Sequence, residues 1–124
     1  MIGESHRLKQ AIEGFARSLG VDAQPGRDGS YNFTLSKSGV LCFTASDSGD
    51  RLMVSLGWKD QRVEDDARQR LLGRAGFDTR LGRFVHSAET EDGYFMHIVD
   101  LGESEVGPSE LDFVVQRLLD LRQN

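Results

Sequence analysis

The stretch that decides the fold runs from Tyr31 to Trp58 and reads YNFTLSKSGVLCFTASDSGDRLMVSLGW. Tyr31, Phe33 and Leu35 alternate with Ser30, Asn32, Thr34 and Ser36. Leu41, Phe43 and Ala45 alternate with Val40, Cys42 and Thr44, and Leu52, Val54, Leu56 and Trp58 alternate with Met53, Ser55 and Gly57. Successive side chains of a strand point to opposite faces, so each run predicts a strand with one face buried. Lys37-Ser38-Gly39 and Asp47-Ser48-Gly49-Asp50 are short polar turns between the runs. Three strands joined in this way predict an antiparallel meander.

Working outward toward the N-terminus, Leu8, Ile12, Phe15 and Leu19 recur at helical spacing, with Ala11 and Ala16 beside them. Glu4, Arg7, Lys9, Glu13 and Arg17 fall mostly elsewhere on the wheel. This predicts an amphipathic helix from Ser5 to Leu19, with Ser5 as N-cap and Gly20 just past its end. Ala23 to Gly29, with Pro25, Gly26, Asp28 and Gly29, reads as a loop.

Toward the C-terminus the period changes. Val63, Ala67, Leu71 and Ala75 are each four apart, with Leu72 adjacent, which predicts a second helix over Asp60–Ala75. Glu64, Asp65 and Asp66 sit in its first turn, where the helix dipole favours negative charge. Gly76 would end it, and Phe77 and Leu81 follow in a connector. Arg83–Glu89 and Tyr94–Leu101 read as a hairpin around Thr90-Glu91-Asp92-Gly93, because Asp-Gly is a strong turn signal. Gly102–Gly107 is an acidic loop, and Pro108 suits the first position of a closing helix. Leu111, Val114, Val115, Leu118 and Leu119 form the apolar stripe of that helix, flanked by Phe113 and Leu121. The whole reads as one α+β domain, residues 1–124, in the order α-βββ-α-ββ-α: a mainly antiparallel five-stranded sheet with helices packed on it. A βαβ enzyme would alternate strand and helix instead.

Composition narrows the function. The chain has 124 residues, a net charge of −5 and a sequence pI of about 5.1. Acidity disfavours nucleic acid and anionic membranes as partners and attracts basic protein segments. With one cysteine, Cys42, no intramolecular disulfide can form, and a reducing cytoplasmic compartment is the simplest reading. Met1 to Gly20 carries charges throughout and lacks the uninterrupted apolar core of a signal peptide. No apolar run approaches the ~20 residues of a membrane span.

No chemistry-bearing constellation emerges. Neither Gly-x-Gly-x-x-Gly nor a Gly-Lys-Ser/Thr loop occurs, so no nucleotide or other cofactor is expected. If the hairpin loop spans Thr90–Gly93, His86 and His97 lie directly opposite on one face. Phe84, Ala88, Phe95 and Val99 would share that face, and none is a third metal ligand. His6 is distant in sequence, so the histidines read as structural and no metal is expected. Cys42 has no local base to activate it and reads as a small strand residue. Trp58 ends its strand beside Lys59, a position that suits a partly exposed anchor.

The order, length and acidity resemble the class I type III secretion chaperones, the Tir chaperone family. The resemblance rests on the opening helix and its break, Phe15-Ala16-Arg17-Ser18-Leu19-Gly20-Val21, and on the meander that follows. It rests also on the mid-chain run Leu71-Leu72-Gly73-Arg74-Ala75-Gly76-Phe77, and on the acidic loop Glu103–Pro108 leading into Leu111–Leu121. It implies a homodimeric protein of the bacterial cytoplasm that binds the N-terminal segment of a secreted effector, keeps it extended and export-competent, and catalyses nothing. By position, the resemblance places the client surface at Leu8, Ile12, Phe33, Leu35, Phe43 and Val54. It places the dimer surface at Leu71, Leu72, Phe77, Phe84 and Val85. A regulatory adaptor of similar fold, binding a folded signalling or secretion-apparatus protein, is the alternative. A small enzyme with an unrecognised site is a third reading.

Overall fold

The computed structural model describes residues 6–20, 26, 30–35, 39–46, 48–59, 75–89 and 94–123. Helix α1 spans His6–Ser18, and Gly20 follows it with a φ of 76°, the left-handed conformation expected just past a helix end. The meander is β1 (Tyr31–Leu35), β2 (Gly39–Ala45) and β3 (Arg51–Lys59). Then come β4 (Gly76–Asp78), β5 (Arg83–Glu89) and β6 (Tyr94–Gly102). A short 3-10 turn, Glu103–Glu105, leads to the closing helix α2, Pro108–Gln123. Proline opens α2 because its missing N–H is one the first turn leaves unbonded in any case.

The six strands form one antiparallel sheet in the order β1-β2-β3-β6-β5-β4. The sheet thus has six strands rather than five. The extra one, β4, falls in the stretch expected to be a connector. Three residues with one large apolar side chain are too short for a period of two to show. The helix expected over Asp60–Ala75 lies, apart from Ala75, outside the described residues.

The two nine-residue strands, β3 and β6, occupy the centre, and α2 packs chiefly over them and against α1. The core lies between these helices and one sheet face. Leu8, Ile12 and Phe15 from α1 meet Leu41, Phe43, Leu52, Val54 and Leu56 from the meander and Leu111 and Leu118 from α2, all essentially fully buried. Phe15, Phe33 and Phe43 form a mutual edge-to-face cluster, with centroids 5.5 to 6.4 Å apart. That geometry adds to what simple burial provides.

Two expectations are corrected by the register. Glu89 pairs with Phe95 and Ser87 with His97, while His86 faces Ile98. The register thus pairs Glu89 with Phe95 instead of Tyr94, and a slip of one residue moves every side chain to the other face. His97 is therefore buried in the core face beside Phe95 and Val99, whereas His86 is exposed on the opposite face with Phe84 and Ala88. Trp58 is not a partly exposed anchor. It is buried, stacked on Phe95 at 6.1 Å and 5.2 Å from the His97 ring.

One glycine is dictated by packing. Gly39 has a φ of 113°, and a β-carbon there would stand 2.2 Å from the Gly57 carbonyl oxygen. Only glycine combines that backbone conformation with so close an approach of the neighbouring strand. Arg7 fastens α1 to the loop before α2, donating to the carbonyls of Val106 (3.3 Å) and Ser104 (3.2 Å).

Candidate functional site

The sheet's second face carries the residues that alternate with the core. No described element packs on it. Val40 on β2, Met53 on β3 and Tyr94 on β6 are exposed there, and the pair Phe77 and Phe84 sits at the β4 end. These five are most of the large exposed apolar residues among those described. Phe77 and Phe84 are 57% and 61% exposed and contact each other edge to face at 5.3 Å, so they form a preformed apolar ridge. Soluble proteins seldom leave a large contiguous apolar patch without a binding role.

A hollow of about 400 Å³ opens between this face's central strands, lined by Asn32, Val40, Cys42, Ser55, Tyr94 and Met96 around Gly57. Gly57 makes the depression by presenting no side chain in the middle of a strand. Cys42 is half-buried in its wall, with Sγ 3.4 Å from Thr44 Oγ1. At the far end, Arg51 bridges to Asp100 across β3 and β6 at 3.0 Å. The hollow is apolar, with small hydroxyl and amide groups at its rim. An apolar hollow with a few polar groups at its rim can take up an apolar side chain. Among the described residues no group of three His, Cys, Asp or Glu side chains could hold a metal ion. Among them, too, no helix is long and apolar enough to cross a membrane.

The residues that the resemblance singled out do not fall together. Leu8, Ile12, Phe33, Phe43 and Val54, expected at the client surface, lie in the core. An apolar stripe looks the same whether it meets a helix or a client, so periodicity could not tell the two apart. Leu35 is half-buried at the end of β1, the sheet's edge strand. Of the dimer set, Phe77 and Phe84 lie together on the open face, Val85 is buried on the other side of the sheet, and Leu71 and Leu72 lie outside the described residues. Sequence reasoning passed over Val40, Met53, Tyr94 and Met96. The available signal was apolar side chains at strand positions out of phase with the core set.

The surrounding electrostatics hold the closing elements in place. Arg83 pairs with Glu105 and, together with the Gly102 N–H, holds that carboxyl below its ordinary range. Burial alone would push the Asp78 carboxyl up. The hydrogen bond from Arg117 (3.0 Å), the backbone N–H groups of Leu81 and Arg80, and the Arg117 charge outweigh burial and hold it low.

No family model matches this sequence, and no curated protein matches it. The fold, however, is that of several solved structures. The chain is similar to the Yersinia pestis type III secretion chaperone SycH, solved in complex with a stable fragment of YscM2. The identity is 18% and the TM-score 0.68, over 91% of this chain and 94% of that one. It is similar to a chain of the HopA1-SchA chaperone-effector complex at 16% identity and a TM-score of 0.67, over 95% and 94%. It is also similar to a chain of the heterodimeric ExoU-SpcU complex from the type III secretion system of Pseudomonas aeruginosa, at 11% identity and a TM-score of 0.63, over 90% and 92%.

Proposed function

We propose that this chain is a type III secretion chaperone of the Tir chaperone family. It acts as a homodimer in the bacterial cytoplasm, binds the N-terminal segment of an effector, and holds it extended for export without catalysis. The observation that carries this reading is the likeness, over nearly the whole of both chains, to secretion chaperones solved with bound partners. The exposed apolar face supports it physically, since an extended client can fill apolar hollows and add its backbone to a free sheet edge. The edge strand β1, with Leu35 accessible at its end, is where such a strand would add. The buried members of the client set, Leu8, Ile12, Phe33, Phe43 and Val54, then support that edge from beneath.

The Phe77–Phe84 ridge is the dimer contact in this reading, together with Leu71 and Leu72. Light scattering should give a mass twice the 13.8 kDa of one chain. The Phe77→Ser/Phe84→Ser double variant should give the single mass with its circular dichroism unchanged. A wild-type protein that is monomeric at micromolar concentration removes the dimer from the proposal. For the client, co-expression with candidate effectors should yield a complex in which the effector's N-terminal segment is protected from protease only while bound. Retention of an intact, folded partner with no protected extended segment would favour the regulatory adaptor instead.

A further inference from the structure

Helix α2 packs chiefly over β3 and β6 at the centre of the sheet and reaches β4 through the Arg117–Asp78 ion pair. A groove of about 350 Å³ remains between α2 and the core-side rim of β5, within the range of roughly 300–1,000 Å³ typical of binding pockets. Leu81, Leu101, Phe113 and Val114 supply its apolar lining. Leu101 and Val114 are buried beneath it, while Phe113 stands up 54% exposed on its wall, although a helix bearing a full core stripe has no packing need for an aromatic there. The charges around the groove are unequally used. Arg83 is paired with Glu105 at one end, and Arg117 is paired with Asp78 (2.9 Å) on β4. Arg80, in the turn that supplies Leu81, does not line the groove. Glu110 lines it and has no ion-pair partner among the described residues. The groove thus joins an exposed aromatic, Phe113, to one unpaired carboxylate, Glu110.

We propose that this groove docks a client segment in which a large apolar side chain is flanked by lysine or arginine. The apolar group packs on Phe113 and Leu81, and the cation sits over Glu110. This deepens the chaperone reading and rests on it, because it specifies the chemistry of one part of the client. Two ion pairs frame the groove, Arg83–Glu105 tying β5 to the 3-10 turn and Arg117–Asp78 tying α2 to β4, so it needs no rearrangement to receive a side chain. An apolar anchor with a charge-complementary rim gains affinity from the first and selectivity from the second.

The test uses the full chain and short dye-labelled peptides of alternating leucine and lysine, with matched peptides of leucine and glutamate or serine and lysine. Fluorescence anisotropy should show the leucine-lysine peptide binding at least about tenfold more tightly than either control, a difference of about 1.4 kcal/mol. Phe113→Ser and Glu110→Lys, both with unchanged circular dichroism, should each weaken it by a similar factor. Glu110→Lys should also improve binding of the leucine-glutamate peptide. Glu13→Lys on α1, which changes net charge equally, should leave binding alone. Equal weakening by Glu13→Lys and Glu110→Lys, or indifference to Phe113→Ser, overturns the proposal. Client co-purification is scored in parallel. A client still retained by wild type while the peptides ignore the groove variants refutes the groove alone. Failure of wild type to retain any client, with peptide binding responding as expected, refutes the chaperone reading and leaves the groove.

Discussion

The two faces of the sheet are built from adjacent residues and behave in opposite ways. On β2 and β3, Leu41, Phe43, Leu52 and Val54 are 0% exposed, while Val40 and Met53, each one position away, are 38% and 46% exposed. Burying a large apolar side chain contributes about 1.5–3 kcal/mol. The inner face therefore carries the stability, and the outer face carries apolar surface that contributes little to the isolated chain. The difference teaches that buried and exposed apolar surface are divided here by strand phase and not by region. A substitution can strike one and spare the other by moving a single position along the chain.

The sharpest way to break that division is Phe43→Ala. Phe43 is at the centre of the aromatic cluster with Phe15 and Phe33, so the change should remove about 3–5 kcal/mol from unfolding in urea. Domains of this size have about 5–15 kcal/mol in all, so a loss below about 1 kcal/mol would show that the inner face is not the core. Gly39→Ala should follow at about 1–3 kcal/mol, because its left-handed backbone and its approach to the Gly57 carbonyl leave no room for a methyl group. An unchanged melting midpoint would mean that the β2–β3 contact relaxes freely.

Asp78→Asn tests the strap from β4 to the closing helix and should cost on the order of 1 kcal/mol at neutral pH. The folded-state carboxyl is held below its ordinary value, so this stability is present above the unfolded pKa and is lost as pH falls through the folded one. The gap between wild type and variant should therefore close below about pH 4. A gap that persists there would assign the effect to packing. The smallest effect belongs to the outer face. Met53→Ser should change stability by no more than about 0.5 kcal/mol while weakening capture of a client bound across this face, measured by pull-down. A large stability loss from Met53→Ser would collapse the contrast between the faces.

Much of this was legible in the sequence because it is local. The alternation in Tyr31–Trp58 located three strands, Pro108 located the start of the closing helix to the residue, and the Leu8–Phe15 stripe located the first helix. The acidic loop was read correctly as a connection, though its short 3-10 turn was not anticipated. The candidate site was much less legible. Phe77 and Phe84 were picked out together, yet Val85 was picked out with them, although its side chain points through the sheet to the other face. The client set fell largely on the core because apolar periodicity reports that a face is covered and does not say by what.

The sequence by itself determined the two described helices, five of the six strands and the antiparallel pairing within the meander and the hairpin, since propensity, period and turn chemistry act over a few residues. Only the tertiary structure decided that β6 pairs with β3 across the middle of the sheet and that β4 closes its far edge. It alone decided the one-residue register that sends His97 inward and His86 outward. Those outcomes depend on contacts between residues far apart in the chain. There the packing of α1 and α2 selects which face is filled, and no local pattern records the choice.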